Sequence, residues 1–210
     1  MTLTCESLLS THPDSWRDAT VHPFLTQCQA GTIQPAQFNT WLVQDYLFVN
    51  DFTRFVGRCL AAAPVSHFDV LLSGLMALQA ELSWFREKAA ERSLNLQTPR
   101  QLTCQRYCDF MGNLVNAPYA VQATALWAIE YAYNQGWQLP GPMPAPYNEF
   151  ADRWGNAGFT DYVKLLANQA DEALNVASTD IQTAAANAFL QVARLEQDFW
   201  QMAYGAETPA

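Results

Sequence analysis

Between residues 35 and 62 the bulky apolar side chains return at intervals of three and four: Trp41, Phe48, Phe52, Phe55 and Cys59, with Asp45 in the same register. That spacing builds one continuous face on an α-helix, whereas a strand sends successive side chains to opposite faces. The same periodicity predicts about seven helices, over roughly 14–30, 35–62, 67–93, 100–115, 118–138, 147–176 and 179–204. Between them lie Gly31, Pro64, Asn95 to Pro99, Asn116 to Pro118, the PGPMPAP run from Pro140 to Pro146, and Ala177 to Asp180. Pro35 and Pro118 sit where a first helical turn tolerates a missing N–H, and Ser178 or Thr179 can cap the last helix. No alternating segment of strand length competes, so the expected fold is all-α. Long helices on short links bury their stripes only by packing lengthwise, which gives a helical bundle. We expect one domain over residues 1–210, with PGPMPAP as a loop inside it.

Composition narrows the function classes. Half of the 210 residues are hydrophobic, so there is ample material for a core. Eleven Lys and Arg against 20 Asp and Glu leave a net charge of −9, a field that repels phosphate backbones and anionic membrane surfaces. Neither nucleic acid nor membrane is expected as a partner. The opening residues lack a basic region followed by an apolar one, and no apolar run is long enough to span a bilayer, so the expected location is cytoplasmic. Five scattered cysteines (Cys5, Cys28, Cys59, Cys104, Cys108) read as reduced, buried thiols. No CxxC, HExxH or ExxH pattern is present, and no metal or cofactor is expected.

The informative residues are carboxylates where the helical period calls for a hydrophobe. Asp45 falls on the aromatic face already described. Glu130 shares a face with Ala123, Leu126, Trp127, Tyr133 and Trp137, and Glu196 with Phe189, Val192, Trp200 and Ala203. Glu81, between Leu78 and the Trp84–Phe85 pair, repeats the pattern more weakly. A buried carboxylate is costly unless paired or hydrogen-bonded, and such groups cluster where pKa values are tuned for chemistry. Taken singly, each acid reads equally as a register-fixing core group. Together with Tyr46, Phe48, Tyr107, Tyr133 and Trp154 they describe a pocket for a flat aromatic ligand that carries hydrogen-bond donors, as amino-substituted heterocycles do. A di-iron bundle site would need Glu-x-x-His pairs, and no glutamate here has His three residues on.

Four segments in order, FNTWLVQDYLFVNDFTRF, LWAIEYAYNQGW, RWGNAGFTDY and RLEQDFWQMAY, resemble the TenA family from about His22 to Tyr204. The resemblance implies the helical bundle shared with haem oxygenase, without haem, and salvage of thiamin breakdown products. It also implies a homodimer or homotetramer. The family's pyrimidine-binding Asp falls on Asp45 of QDY, its late catalytic Glu on Glu196 of LEQDFW, its ring-contacting Tyr on Tyr107 of QRYCDF, and an aromatic wall on Trp154 of RWGN.

One departure sets the subtype. Thiaminase II members carry a catalytic Cys in an LPCxW-like motif, whereas this chain has ALWAIEYAY, with Ala128 near that place and Glu130 two positions on. The sequence resembles the cysteine-less, glutamate-type branch that includes plant seed-maturation-type members. That branch implies aminopyrimidine aminohydrolase and N-formyl-aminomethylpyrimidine amidohydrolase activity. The roles that follow are Asp45 on the amidine edge of an aminopyrimidine substrate, Glu196 as proton donor, and Glu130 or Glu81 positioning water. A non-catalytic pyrimidine-binding protein on the same scaffold is the alternative.

Overall fold

The computed structural model describes residues 3–206, and these fall into two compact units, one of residues 3–33 with 117–198 and one of 34–116 with 199–206. Among the described residues there is no strand. The helices in chain order are α1 (Cys5–Thr11), α2 (Pro13–Thr20), α3 (Pro23–Ala30), α4 (Pro35–Ala62), α5 (Phe68–Glu91), α6 (Leu102–Asn113), α7 (Tyr119–Gln138), α8 (Asn148–Trp154), α9 (Ala157–Asn175) and α10 (Thr179–Tyr204). Single 3-10 turns, Val65–His67 and Leu114–Asn116, precede α5 and follow α6. No helix of the described residues is long and apolar enough to cross a membrane.

The first unit is organised on α7, which packs along α9 and against α2 and α8. Trp16 of α2 explains part of this arrangement. Its ring stacks at 5.3 Å on Tyr131 of α7 and at 5.3 Å on Phe189 of α10, and its Nε1 donates to Gln135 Oε1 at 2.9 Å. The polar edge of the indole is thereby satisfied while its faces are buried. At the other end of α7, Asn134 Nδ2 donates to the Trp154 carbonyl at 2.7 Å, fixing α8 to α7. Gly155 ends α8 in a space that admits no side chain: a Cβ there would lie 2.7 Å from the Ala151 carbonyl and 3.2 Å from that of Trp137.

The second unit is α4 with α5 and α6 packed against it. Pro35 opens α4, and Gln34 and Gln37 form a reciprocal capping box around its first turn. The loop from α5 to α6 is tied to α4 at two points. Arg92 donates to Asn39 Oδ1 at 2.9 Å and lies over the Phe38 ring. Gln44 Nε2 donates to the Pro99 carbonyl at 3.3 Å, while Gln44 Oε1 accepts from the Gln101 amide at 2.8 Å.

Four boundaries differ from the sequence expectation. The segment 14–30 is two helices, because Pro23 forces His22 into extended backbone, and the His22 ring then caps α3 by accepting from the Phe24 amide at 3.1 Å. The segment 147–176 is also two, interrupted at Gly155 and restarted by the Asn156 side chain accepting from Phe159 N at 2.9 Å. Helix α1, to which no segment was assigned, has too few residues to show a period. It rests on a Thr4–Ser7 capping box and on Cys5 N donating to Asp171 Oδ1 at 2.7 Å. Pro118 occupies the cap position with extended backbone rather than the first turn of α7. At α10 it is Ser178 whose hydroxyl accepts from the Ile181 amide.

Candidate functional site

Asp45 sits midway along α4, fully buried, on the stripe that also buries Trp41, Phe48, Phe52 and Phe55. Within the same unit Phe48 meets Tyr107 of α6 at 4.7 Å, and both rings meet Phe199, at 5.8 and 6.4 Å. The structure therefore brings Phe48 and Tyr107 together and adds a third wall, Phe199. The registration of α6 depends on the residue beside Asp45. Besides its two side-chain bonds to the preceding loop, Gln44 offers its carbonyl to the Cys104 thiol at 3.4 Å. Tyr46 is half-buried, with its ring edge-on to Phe85 of α5 at 6.4 Å. Glu81, expected to point inward beside the other acids, is half-buried on α5.

In the other unit, Glu130 is 8% exposed and Glu196 fully buried. Glu130 lies on α7 among small and aromatic residues, in a run from Ala120 to Glu130 with every residue buried. One turn later Tyr133 stands edge-on to Trp154 of α8 at 5.6 Å, and Trp154 in turn stacks on Trp137 at 5.6 Å. Trp137, on the Glu130 face of α7, thus packs on the Trp154 ring together with Phe150. Asp45, Glu130 and Glu196 are thus carboxylates sunk in aromatic and aliphatic surroundings, where an ionised group is tolerated only with polar partners.

All five cysteines are reduced and buried. Cys108 is hydrogen-bonded with Cys104 and buried, and both effects push its thiol far above the ordinary range; burial does the same to Cys5 and Cys59. These three are not activated nucleophiles, since attack requires the thiolate. Helix α7, which carries Glu130, contains no cysteine. Among the described residues no group of three or more His, Cys, Asp or Glu is placed to hold a metal ion.

The model of the TENA/THI-4/PQQC family matches residues 10–206. The chain belongs to this family. It is 34% identical over 213 residues to a probable bifunctional TENA-E protein of Glycine max, covering 95% of this chain and 93% of that protein. It is 25% identical over 205 residues to an aminopyrimidine aminohydrolase of Halalkalibacterium halodurans, covering 90% of each. Among solved structures, a TenA homologue from Pyrococcus furiosus superposes with a TM-score of 0.90 at 27% identity, covering 95% of this chain and 98% of that one. For a TenA family member, the coincidence of buried acids with the positions expected from QDY and LEQDFW is the feature the fold has to explain.

Proposed function

We propose that this TenA family protein is a hydrolase of aminomethylpyrimidines. It would hydrolyse 4-amino-5-aminomethyl-2-methylpyrimidine to 4-amino-5-hydroxymethyl-2-methylpyrimidine and ammonia, and the N-formyl derivative first to formate and the aminomethyl compound. The carrying observation is the burial of Asp45, Glu130 and Glu196 among aromatic rings in a chain whose relatives include an aminopyrimidine aminohydrolase. Replacing the exocyclic amine by water requires a proton delivered to the departing nitrogen and another taken from the attacking water. Glu196 is the proposed donor. Glu130, which is the more deeply buried of the two remaining glutamates and belongs to the same unit as Glu196, is assigned the water in preference to Glu81. Asp45 is assigned the amino group and ring edge, with Phe48 and Tyr107 of its own unit as flat faces for the pyrimidine. Tyr46, Tyr133 and Trp154 are assigned to substrate binding by the sequence pattern and the family resemblance.

The lack of a cysteine on α7 favours the cysteine-less branch and so a direct rather than covalent route. The deciding measurement is release of the hydroxymethylpyrimidine from three substrates: the aminomethyl compound, its N-formyl derivative, and thiamin. We expect turnover of one or both of the first two and little of the third. Rapid thiamin cleavage would overturn the branch assignment, and inactivity on all three would overturn the enzyme reading in favour of a binding protein. We also propose a homodimer or homotetramer, which light scattering tests: a 23.5 kDa particle at micromolar concentration refutes it.

A further inference from the structure

Along α4 and α6 of the second unit lies a crevice that none of the residues assigned above enters. Its volume is about 490 Å³, and its walls include Asp51, Arg54 and Arg58 from α4, Arg100 from the loop before α6, and Gln105 and Asp109 from α6. Three of the chain's 11 basic residues meet here, on a molecule of net charge −9. Asp51 accepts from Arg54 Nη1 at 2.6 Å and also pairs with Arg100 Nη2. Arg100 Nη1 reaches Gln105 Oε1 at 3.4 Å, and Gln105 Nε2 donates to Asp109 Oδ1 at 2.7 Å. One aspartate therefore faces two guanidinium groups, and Asp109 is engaged by an amide.

Arg58 stands outside this network. It follows Arg54 by one helical turn, so the two lie on one face of α4, and among the described residues it has neither carboxylate nor carbonyl partner. Its fork of N–H donors is unspent, while Asp51 holds Arg54 and Arg100 in place with donors still available on each. A guanidinium fork matches phosphate oxygens bidentately, and three such groups around one opening suit a tetrahedral centre with three acceptor oxygens better than a flat carboxylate with two.

We propose that this crevice binds a phosphate group, as the free anion or as the end of a small monoester, with Arg58 as its primary ligand. The volume is sufficient for a compact ester as well as for the anion alone. The test is titration calorimetry of the full chain at low ionic strength with inorganic phosphate and, separately, with phenyl phosphate. Saturable binding is expected, weakened on the order of tenfold or more in Arg58→Gln. It should be unchanged in Arg17→Gln, whose exposed guanidinium lies on α2 of the other unit. Tighter binding of phenyl phosphate assigns the site to esters, and tighter binding of phosphate assigns it to the free anion. Absence of saturable binding at millimolar ligand, or equal loss in both variants, overturns the proposal.

Discussion

Gln44 is the residue through which the fold can be loosened beside Asp45 without touching any acid. Its side chain is 4% exposed and makes two bonds across to the loop before α6, accepting from Gln101 N at 2.8 Å and donating to the Pro99 carbonyl at 3.3 Å. Gln44→Met keeps the volume and removes both bonds, leaving one N–H and one carbonyl without protein partners. Leaving a buried polar group unmade costs about 1–3 kcal/mol. Pro99 and Gln101 are exposed residues that water can partly serve, so the low end applies, about 2 kcal/mol for the pair. In a chain of this length that corresponds to a melting temperature lower by about 4–8 °C. Gln44→Glu keeps the acceptor for Gln101 but sets an oxygen against the Pro99 carbonyl, so it should lie between the two. Thermal melts read the first effect, and amide exchange at Gln101 localises it. Because Tyr107 is carried by the same helix, substrate KM should rise more than kcat falls. A Gln44→Met protein that melts within about 1 °C of the parent, with Gln101 still protected, would refute this account of how α6 is registered.

Asp45→Asn should lose roughly 10- to 100-fold in affinity for the pyrimidine product, the worth of one charge-assisted bond, whereas Glu196→Gln should keep that affinity and lose turnover by a factor on the order of 10²–10⁴. Calorimetry beside steady-state kinetics separates them, and retained turnover in Glu196→Gln would end its assignment as proton donor. Gly155→Ala drives a Cβ to 2.7 Å from the Ala151 carbonyl and should cost about 1–3 kcal/mol in denaturant unfolding. Gly57→Ala, where a Cβ meets nothing within 4 Å inside α4, should instead stabilise by about 0.5–1 kcal/mol. The raised thiols of Cys5, Cys59 and Cys108 remain protonated at neutral pH, so iodoacetamide at pH 7–8 should leave the native protein unlabelled until denaturant is added. Labelling of any of the three in the native state contradicts their burial.

What the sequence made legible was whatever repeats at the helical period. The stripes of α4, α7 and α10 are long enough that one acid inside each stands out, and Asp45, Glu130 and Glu196 lie buried on those stripes. Glu81 is harder to read because α5 has a weak stripe: Leu72 and Met76 are exposed, and Glu81 itself is half-buried. The short helices escaped the same reading, since a helix of seven or eight residues, such as α1 or α8, is set by caps and tertiary bonds rather than by period. The convergence of Tyr107 with Phe48 and Phe199 is a contact between residues far apart in the chain, which no local pattern encodes. The arginine crevice is hidden from the sequence for a related reason: Arg100 reaches Asp51, Arg54 and Arg58 only through the loop before α6.

Helix α4 carries two opposed programmes, and its geometry keeps them apart. At about 100° per residue, Trp41, Asp45, Phe48, Phe52 and Cys59 fall within one narrow arc, while Asp51, Arg54 and Arg58 fall on one flank beside it, roughly 90–150° from its centre. The inner arc admits no cation, and the outer one gathers two of the chain's few arginines and receives a third from Arg100. A guanidinium on the inner arc would neutralise the carboxylate that the proposed chemistry needs to hold donors on the substrate; on the outer arc it is balanced locally by Asp51. The separation is also economical for stability. The outer network stays partly solvated, where ion pairs cost little to form, and on this helix the interior desolvation penalty is confined to Asp45.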